Sequence, residues 1–307
     1  MTKTHCAHIF LDDDTRARAE ARKHNFVGKM TDAIAAHGWT TRLRDLAEAE
    51  QISALAETEY ALVQMEGAAH PRALTFRRAY VGAFWRIERT AIRSEFEIAK
   101  ARFDAASVDA GAARRFAQNW RRWAFGDIAR KSRREGFVYV PLQARLLDKR
   151  ARQACSPVEM IKEVLRRDTR RWIVATLHPR WQYSPQEVKA LKRLLDAHPR
   201  LSLGSAPSEQ LLRDCDYVVT ESSAVAFKGY FFAKPAILFQ DIDFHHIALN
   251  VRALGAADAF AAVGDLALAY DQYLFWFLKQ NAIGAGADTA GRAIAGRLSD
   301  LGWPISG

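Results

Sequence analysis

No run of apolar residues in this chain approaches the roughly 18–20 needed to cross a bilayer. The longest tight cluster is Tyr273-Leu274-Phe275-Trp276-Phe277-Leu278. The three cysteines (Cys6, Cys155, Cys215) are far apart and odd in number, which excludes a disulfide scaffold and any CxxC zinc site. The P-loop, the GxGxxG dinucleotide fingerprint and the GxSxG hydrolase elbow are all missing. The first residues, MTKTHCAHIFLDDD, place three aspartates after a short apolar stretch, a pattern that fits neither a secretory signal nor a transit peptide. These absences predict a soluble, cytoplasmic, globular protein. With 307 residues, 49% of them hydrophobic, the chain supports about two domains.

Charge is abundant and unbalanced. Lysine and arginine number 45 against 35 acids, a formal charge of +10, which predicts an anionic partner. Between Arg114 and Arg134 stand eight basic residues against one acid, Asp127, with Trp120, Trp123 and Phe125 interleaved. That pattern is a helix with an aromatic core stripe and a solvated basic face, an anionic-acceptor groove, or a membrane-surface patch. Nothing beyond charge points to nucleic acid, so none is expected as a partner.

The second half alternates strands with helices. Phe137–Leu142, Arg171–Leu177, Arg200–Leu203, Asp216–Thr220 and Ala236–Phe239 read as strands. Ser156-Pro157-Val158-Glu159 and Ser184-Pro185-Gln186-Glu187 are capping boxes with proline at the first helical position. Helix-length crossovers between strands predict a parallel, doubly wound α/β sheet. In the first half His8–Leu11, Trp39–Leu43 and Tyr60–Met65 read as strands. The pattern after Pro71 predicts helix over Leu74–Asp104 and Val108–Glu135. The tail predicts one amphipathic helix over Asp265–Gln280, which either packs back on the first domain or touches a membrane, and a weakly patterned Gly284–Gly296. The expected domains are an acceptor-side α/β domain with long helices (1–135), a Rossmann-like nucleotide-sugar-binding domain (136–264) and a C-terminal helix and tail (265–307).

In an open parallel sheet, ligands bind beyond the carboxyl ends of the strands. His-Pro-Arg occurs three times, at His70, His178 and His198. His198 precedes a strand and falls on the wrong edge. His178 directly follows one, so its imidazole and the Arg180 guanidinium face the crevice. Strand DYVVT leads into Glu221-Ser222-Ser223 and a helix, where two hydroxyls and free N–H groups suit an anion, although serine is also simply a good helix cap. Gln143 ends the first strand of the series on the same edge.

The segment from strand-His178-Pro179 to DYVVTESSAVAFKGYFFAKPAILF, with Val140-Pro141-Leu142-Gln143 before it, resembles the capsule-polysaccharide synthesis family of bacterial Kdo transferases. The His-Pro and Ser-Ser pair is also similar to that of bacterial sialyltransferases. The resemblance covers about residues 137–240 and implies a GT-B-type glycosyltransferase with two Rossmann-like domains. It implies that His178 contacts the CMP part of a CMP-activated sugar, CMP-Kdo above all, and that Ser222 and Ser223 hold its phosphate. The expected substrate-binding set is Gln143, His178, Arg180, Glu221, Ser222 and Ser223.

A transferase also needs a carboxylate on the acceptor side. The sialyltransferase pattern of two acids before glycine is met only by Met65-Glu66-Gly67, which departs at the first acid. Glu66 is the first candidate base or nucleophile and Asp13, in the Asp12-Asp13-Asp14 triple, the second. That triple also reads as helix-start acids, and Glu66 as a loop carboxylate. His245-His246 with Asp241 and Asp243 lack ligand-type spacing and read as a loop rim; the resemblance to GT-B enzymes implies no bound metal, and no cofactor is expected. The expected partners are a nucleotide sugar, a glycan or glycolipid acceptor, and the inner membrane or other polysaccharide-synthesis proteins as peripheral contacts. Two alternatives stand beside transfer. One is a non-catalytic polyanion-, glycan- or partner-binding protein, favoured by the short chain and the missing first acid. The other is a nucleotide-sugar epimerase, which would need no acceptor.

Overall fold

β-rich runs separated by helices build the first half around one sheet. β1 (Cys6–Leu11) leads to α1 (Asp13–Glu20) and α2 (Asn25–Ala35), and then to β2 (Thr40–Asp45) and β3 (Glu59–Gln64). The computed structural model describes residues 4–67, 69–264, 266 and 268–305. Asp12 caps α1 by accepting from the Thr15 N–H at 2.8 Å, and Asp13 and Asp14 fill its first turn, where the helix dipole favours acids. β1 pairs in parallel with β2 on one side and β3 on the other, so the strand order reverses beside Leu11 and Gln64.

The helix expected from Leu74 onward is a hairpin of strands instead. β4 (Ala73–Arg78) extends the sheet in parallel from β3, and β5 (Phe84–Glu88) returns antiparallel. The reversal uses left-handed backbone at Tyr80 (φ 64) and Gly82 (φ 60). The strand period is hidden because the sheet is buried on both faces, so apolar residues do not alternate with polar ones. Leu74 and Phe76 join Ile9 and Leu62 in one core, while Ala73 joins Phe10, Ala61 and Val63 in the other. After the short α3 (Glu97–Lys100), the basic aromatic segment forms α4 (Ala110–Phe125), opened by the Asp109 cap and closed by Gly126 at φ 57.

The second sheet follows the expected series. Its elements are β6 (Phe137–Pro141), α5 (Pro157–Arg167), β7 (Trp172–Thr176), α6 (Pro185–Ala197), β8 (Leu201–Leu203), α7 (Ser208–Asp214), β9 (Tyr217–Thr220), α8 (Ala224–Gly229) and β10 (Ala236–Leu238). A two-residue β11 (Leu249–Asn250), α9 (Val251–Leu254), α10 (Ala256–Ala262) and α11 (Tyr270–Leu274) complete it. Both predicted capping boxes form, at Ser156/Glu159 and Ser184/Glu187. The strand order is β11-β10-β9-β6-β7-β8 with every pairing parallel. All carboxyl ends therefore share one edge.

The tail departs from expectation. The described part of the 265–280 segment is α11 followed by a wider π-helical stretch over Phe275–Gln280, and Asp265 lies outside the described residues. The stretch read as weakly patterned contains β12 (Ile283–Gly284), antiparallel to β5, and α12 (Ala290–Asp300). Ile294 and Leu298 of α12 are fully buried in the first core, and Trp303 stacks on Trp39 with ring centres 5.5 Å apart. Alanine, the best helix former, carries α12 where a strong apolar stripe is lacking.

Two compact units result: Met1–Ala101 with Phe277–Gly307, and Arg102–Trp276. These bounds differ from the partition at 135 and 264. α4 belongs with the second unit because Arg121 donates to the Phe231 carbonyl at 2.8 Å and pairs with Asp271 at 2.6 Å. The chain end belongs with the first because β12 and α12 complete its sheet and core. Each unit is a Rossmann-like six-stranded sheet, wholly parallel in the second, while in the first β5 alone runs against the others, between β4 and β12. The architecture is mixed α/β in two units, each built on a six-stranded sheet in which parallel pairing dominates. Among the described residues no helix is long and apolar enough to cross a membrane.

If α12 is part of the first core, Leu298→Ala lowers unfolding stability by about 2–5 kcal/mol in a urea titration. A loss below about 1 kcal/mol would show that the helix is not structural.

Candidate functional site

The second sheet is wound outward from β6, to β7 and β8 on one side and then to β9 and β10 on the other. Its strand order therefore reverses between β6 and β9, the place where parallel sheets open a ligand crevice. Gln143, two residues beyond β6, spans that gap. Its Oε1 accepts from the Ser222 N–H and lies 3.2 Å from the Ser222 hydroxyl. The same hydroxyl is 2.9 Å from Oε1 of Gln240, which follows β10. A hydroxyl has one hydrogen, so it serves one acceptor at a time. Because a backbone N–H can only donate, the Gln143 oxygen is fixed towards Ser222, and its NH2 group is left to face outward.

His178, just beyond β7, is held in a defined state. Its ring Nδ1 accepts from the Arg180 N–H at 3.3 Å, so Nδ1 carries no proton and Nε2–H is the available donor. Its own N–H donates to the Tyr183 hydroxyl at 2.8 Å, and that hydroxyl donates to the Gln143 carbonyl at 3.4 Å. Tyr183 thus ties the β6 and β7 loops together. No motif singled it out, although its place one residue before the Ser184 cap of α6 is the only signal available. The His-Pro-Arg at His70 makes the same turn, with the Arg72 N–H on His70 Nδ1 at 3.2 Å. The motif is therefore a local fold device before it is a binding device.

A crevice of about 660 Å³ lies over these loop ends. Gln143, Thr176, His178, Gly204, Ser205 and Ser223 are among its lining residues, and no aspartate or glutamate lines it among the described residues. Gly204 is required by packing against β7, because a Cβ there would stand 2.7 Å from Val174 Cγ1. Ser223 caps α8 by accepting from the Val225 N–H at 3.2 Å, which leaves its hydroxyl hydrogen to donate. Arg180 is exposed beside His178. Of the six expected substrate-binding residues, Gln143, His178 and Ser223 line the crevice. Ser222 lies behind, bonded to Gln143 and Gln240.

Glu221 does not reach the crevice. Its side chain is wholly buried, and neither carboxylate oxygen has a hydrogen-bond partner. Burial raises its pKa from 4.5 to about 7, and the Arg150 charge offsets this only in part. Nε and Nη2 of Arg150 and Nε2 of the fully buried Gln153 are unpaired as well. The sequence flagged Glu221 only as the neighbour of two serines. Burial follows from its place at the end of a central strand, flanked by β6 and β10.

The acceptor-side candidates are in the first unit. Glu66 is exposed two residues beyond β3, next to Met65 at φ 61. Asp13 is 3.6 Å from Arg16 in the solvated first turn of α1. The residue buried at that switch point is Gln64, which accepts from the Asp12 N–H at 3.0 Å and donates to Asp12 Oδ2 at 2.7 Å and Thr15 Oγ1 at 3.0 Å. Outside both sites, His245 and His246 stack on each other, and His246 Nδ1 meets the Tyr273 hydroxyl at 3.0 Å.

No protein-family model matches this chain, and no curated protein matches it by sequence. Solved structures do. The beta Kdo 2,7 transferase of Thermosulfurimonas dismutans KpsC is similar over 97% of this chain and 99% of its own, at 13% identity and a TM-score of 0.54. The beta Kdo 2,4 transferase of the same KpsC covers 88% of this chain and 89% of its own, at 10% identity and TM-score 0.49. A Methanocaldococcus jannaschii UDP-GlcNAc 2-epimerase covers 97% and 100%, at 10% identity and TM-score 0.40. The first of these likenesses establishes the fold, two Rossmann-like domains of GT-B type, and nothing finer. The other two are too low to argue from.

The buried carboxyl gives a signed pH effect. A carboxyl whose folded pKa lies above its unfolded value favours the folded state at acid pH, and that advantage is lost as pH rises from 4.5 through about 7. Glu221→Gln removes the titration. In chemical denaturation the wild type should lose up to about 3 kcal/mol relative to this variant between acid and mildly alkaline pH. Parallel pH profiles would show that Glu221 is solvated or paired.

Proposed function

We propose that the protein is a glycosyltransferase that uses a nucleotide-activated sugar, with the second-unit crevice as its donor site. One observation carries this reading. Three donors that the protein leaves unspent, the Gln143 NH2 group, His178 Nε2–H and the Ser223 hydroxyl, border one crevice at the switch point, and no carboxylate lines that crevice among the described residues. Such a lining suits an oxygen-rich anion, and the exposed Arg180 adds a positive charge beside it. Ser222 acts on Gln143 rather than on the ligand, and the buried Glu221 does not border the crevice.

In the reaction, the acceptor hydroxyl oxygen forms a bond to the anomeric carbon while the bond from that carbon to the phosphate oxygen breaks. The departing phosphate gains charge as this happens, so donors placed around it stabilise the transition state more than the ground state. His178 and Gln143 are assigned to the nucleotide, Ser223 and Arg180 to the phosphate. Glu66 takes the acceptor proton, with Asp13 as the second choice. CMP-Kdo is the donor and a capsule or surface polysaccharide the product, on the strength of the motif resemblance over 137–240. A cytoplasmic site of action follows from that donor. The substitution of Met65 for the first of two acids supports the rival reading, a glycan-binding protein without turnover.

Thermal unfolding with CMP, CDP, UDP, GDP and ADP tests the donor site. A ligand at about one hundred times its Kd adds roughly 2.7 kcal/mol. Selective stabilisation by CMP that is lost in His178→Ala is expected. Stabilisation by UDP alone would change the sugar, and no response to any nucleotide would remove the proposal.

The base assignment has its own measurement. Glu66→Ala should abolish transfer from CMP-Kdo to a glycan acceptor, by roughly a hundredfold or more, while nucleotide stabilisation persists. Unchanged turnover would return the role to Asp13 or elsewhere, and interconversion of the donor sugar to its epimer without any acceptor would make the protein an epimerase.

A further inference from the structure

A second cleft lies at the opposite edge of the second unit's sheet. α8 starts beyond the carboxyl end of β9, and the turn Tyr230–Phe232 delivers the chain towards the start of β10. Phe231–Ala233 therefore lie at the amino edge, remote from Gln143 and His178. A cavity of about 530 Å³ there is bounded by Gln118, Arg121 and Arg122 of α4, by Arg130 and Ser132, and by Phe231–Ala233. No carboxylate lines it among the described residues.

The helix period explains how α4 does two jobs. With 3.6 residues per turn, Arg114, Gln118 and Arg121 form one stripe, and Arg115, Gln118 and Arg122 form the next. Phe116 and Trp120 fall on the other side, where Phe116 meets Phe275 edge-on at 5.5 Å. Arg121 is fixed as cleft wall by the Phe231 carbonyl and Asp271. Arg114, Arg115 and Arg122 are exposed, and Arg130 makes only a 3.5 Å surface contact with Asp127. Trp123 stands 69% exposed at the end of the helix, its ring edge-on to Trp120.

We propose that this cleft is a docking surface for an acidic polysaccharide, a linear chain with carboxylates on successive sugars. Charge complementarity is the first argument, since the exposed Arg122 and Arg130 border a cleft that no carboxylate lines among the described residues, while Arg121 is spent on Asp271. The second is repetition. Arg115 and Arg122 are two turns apart, about 10 Å along the axis, so the cations recur along a line as the charges of such a polymer do. A membrane plane fits less well, because the cleft is concave and Trp123 is the one exposed large apolar side chain of α4. The choice of a glycan among polyanions rests on the sugar-transfer reading; the cationic cleft does not.

Calorimetric titration of the full chain with alginate oligomers, which carry a carboxylate on every sugar, tests the proposal, with neutral dextran as control. Alginate should bind, dextran should not, and the affinity should fall as ionic strength rises. The paired substitution Arg122→Glu with Arg130→Glu should weaken alginate binding by roughly tenfold or more. Both residues are exposed, so the variant should keep the wild-type Tm and the nucleotide-induced shift. Equal alginate binding by wild type and the double variant, or no binding at all, overturns the proposal. So does tighter binding to phosphatidylserine vesicles or single-stranded DNA. A missing nucleotide shift with intact, Arg122-dependent alginate binding would defeat the donor-site reading and leave the cleft standing.

Discussion

The parallel pairing of β6 with β9 is the contact on which the candidate site depends. It places the end of the first strand of the second sheet beside the end of the fourth, and Gln143 closes the gap through Ser222. Tyr183 ties the same loop to His178 on the other flank. Each such bond is worth only about 1 kcal/mol. Together they hold three loop ends in one arrangement on a rigid edge, so the donor groups around the crevice are set before any ligand arrives.

The two units use an amide at their switch points in opposite ways. In the first, Gln64 is buried and spends both ends of its amide on Asp12 and Thr15. In the second, Gln143 spends its oxygen and keeps its NH2 group. The same side chain at the switch point, carried by the strand on opposite sides of it in the two sheets, is a structural plug in one half and an open donor in the other. That asymmetry matches the assignment of the nucleotide to the second half, and leaves the first with exposed carboxylates such as Glu66.

The legibility of the chain followed burial. The second sheet could be read because its strands are short apolar runs bounded by proline-containing capping boxes, and the strand edge then located His178, Gln143 and Ser223 by a topological rule. β4 and β5 could not, since a sheet covered on both faces shows no alternation, and Leu74 and Phe76 pass for part of a helical stripe. α12 was hidden because its alanines and glycines carry almost no pattern, although Ile294 and Leu298 are fully buried. Glu221 shows a different limit. Adjacency to Ser222 and Ser223 suggested a shared role, but successive residues beyond a strand need not face the same side. Tyr183 was missed because its hydroxyl acts through space on His178 and Gln143, with no spacing in the chain to betray it.

The chain enters the second unit after Ala101 and leaves it after Trp276, so the first unit is assembled from both ends of the sequence. β12 pairs with β5, and α12 fills the core beneath it, only when those late residues exist. During synthesis the inner unit is therefore complete while the outer one still lacks an edge strand and a covering helix. An unpaired strand and uncovered apolar surface of that kind are what drive chains to associate wrongly. β5 would spend the whole synthesis of the second unit waiting for its partner, which makes the nascent first unit, rather than the finished protein, the state most exposed to aggregation.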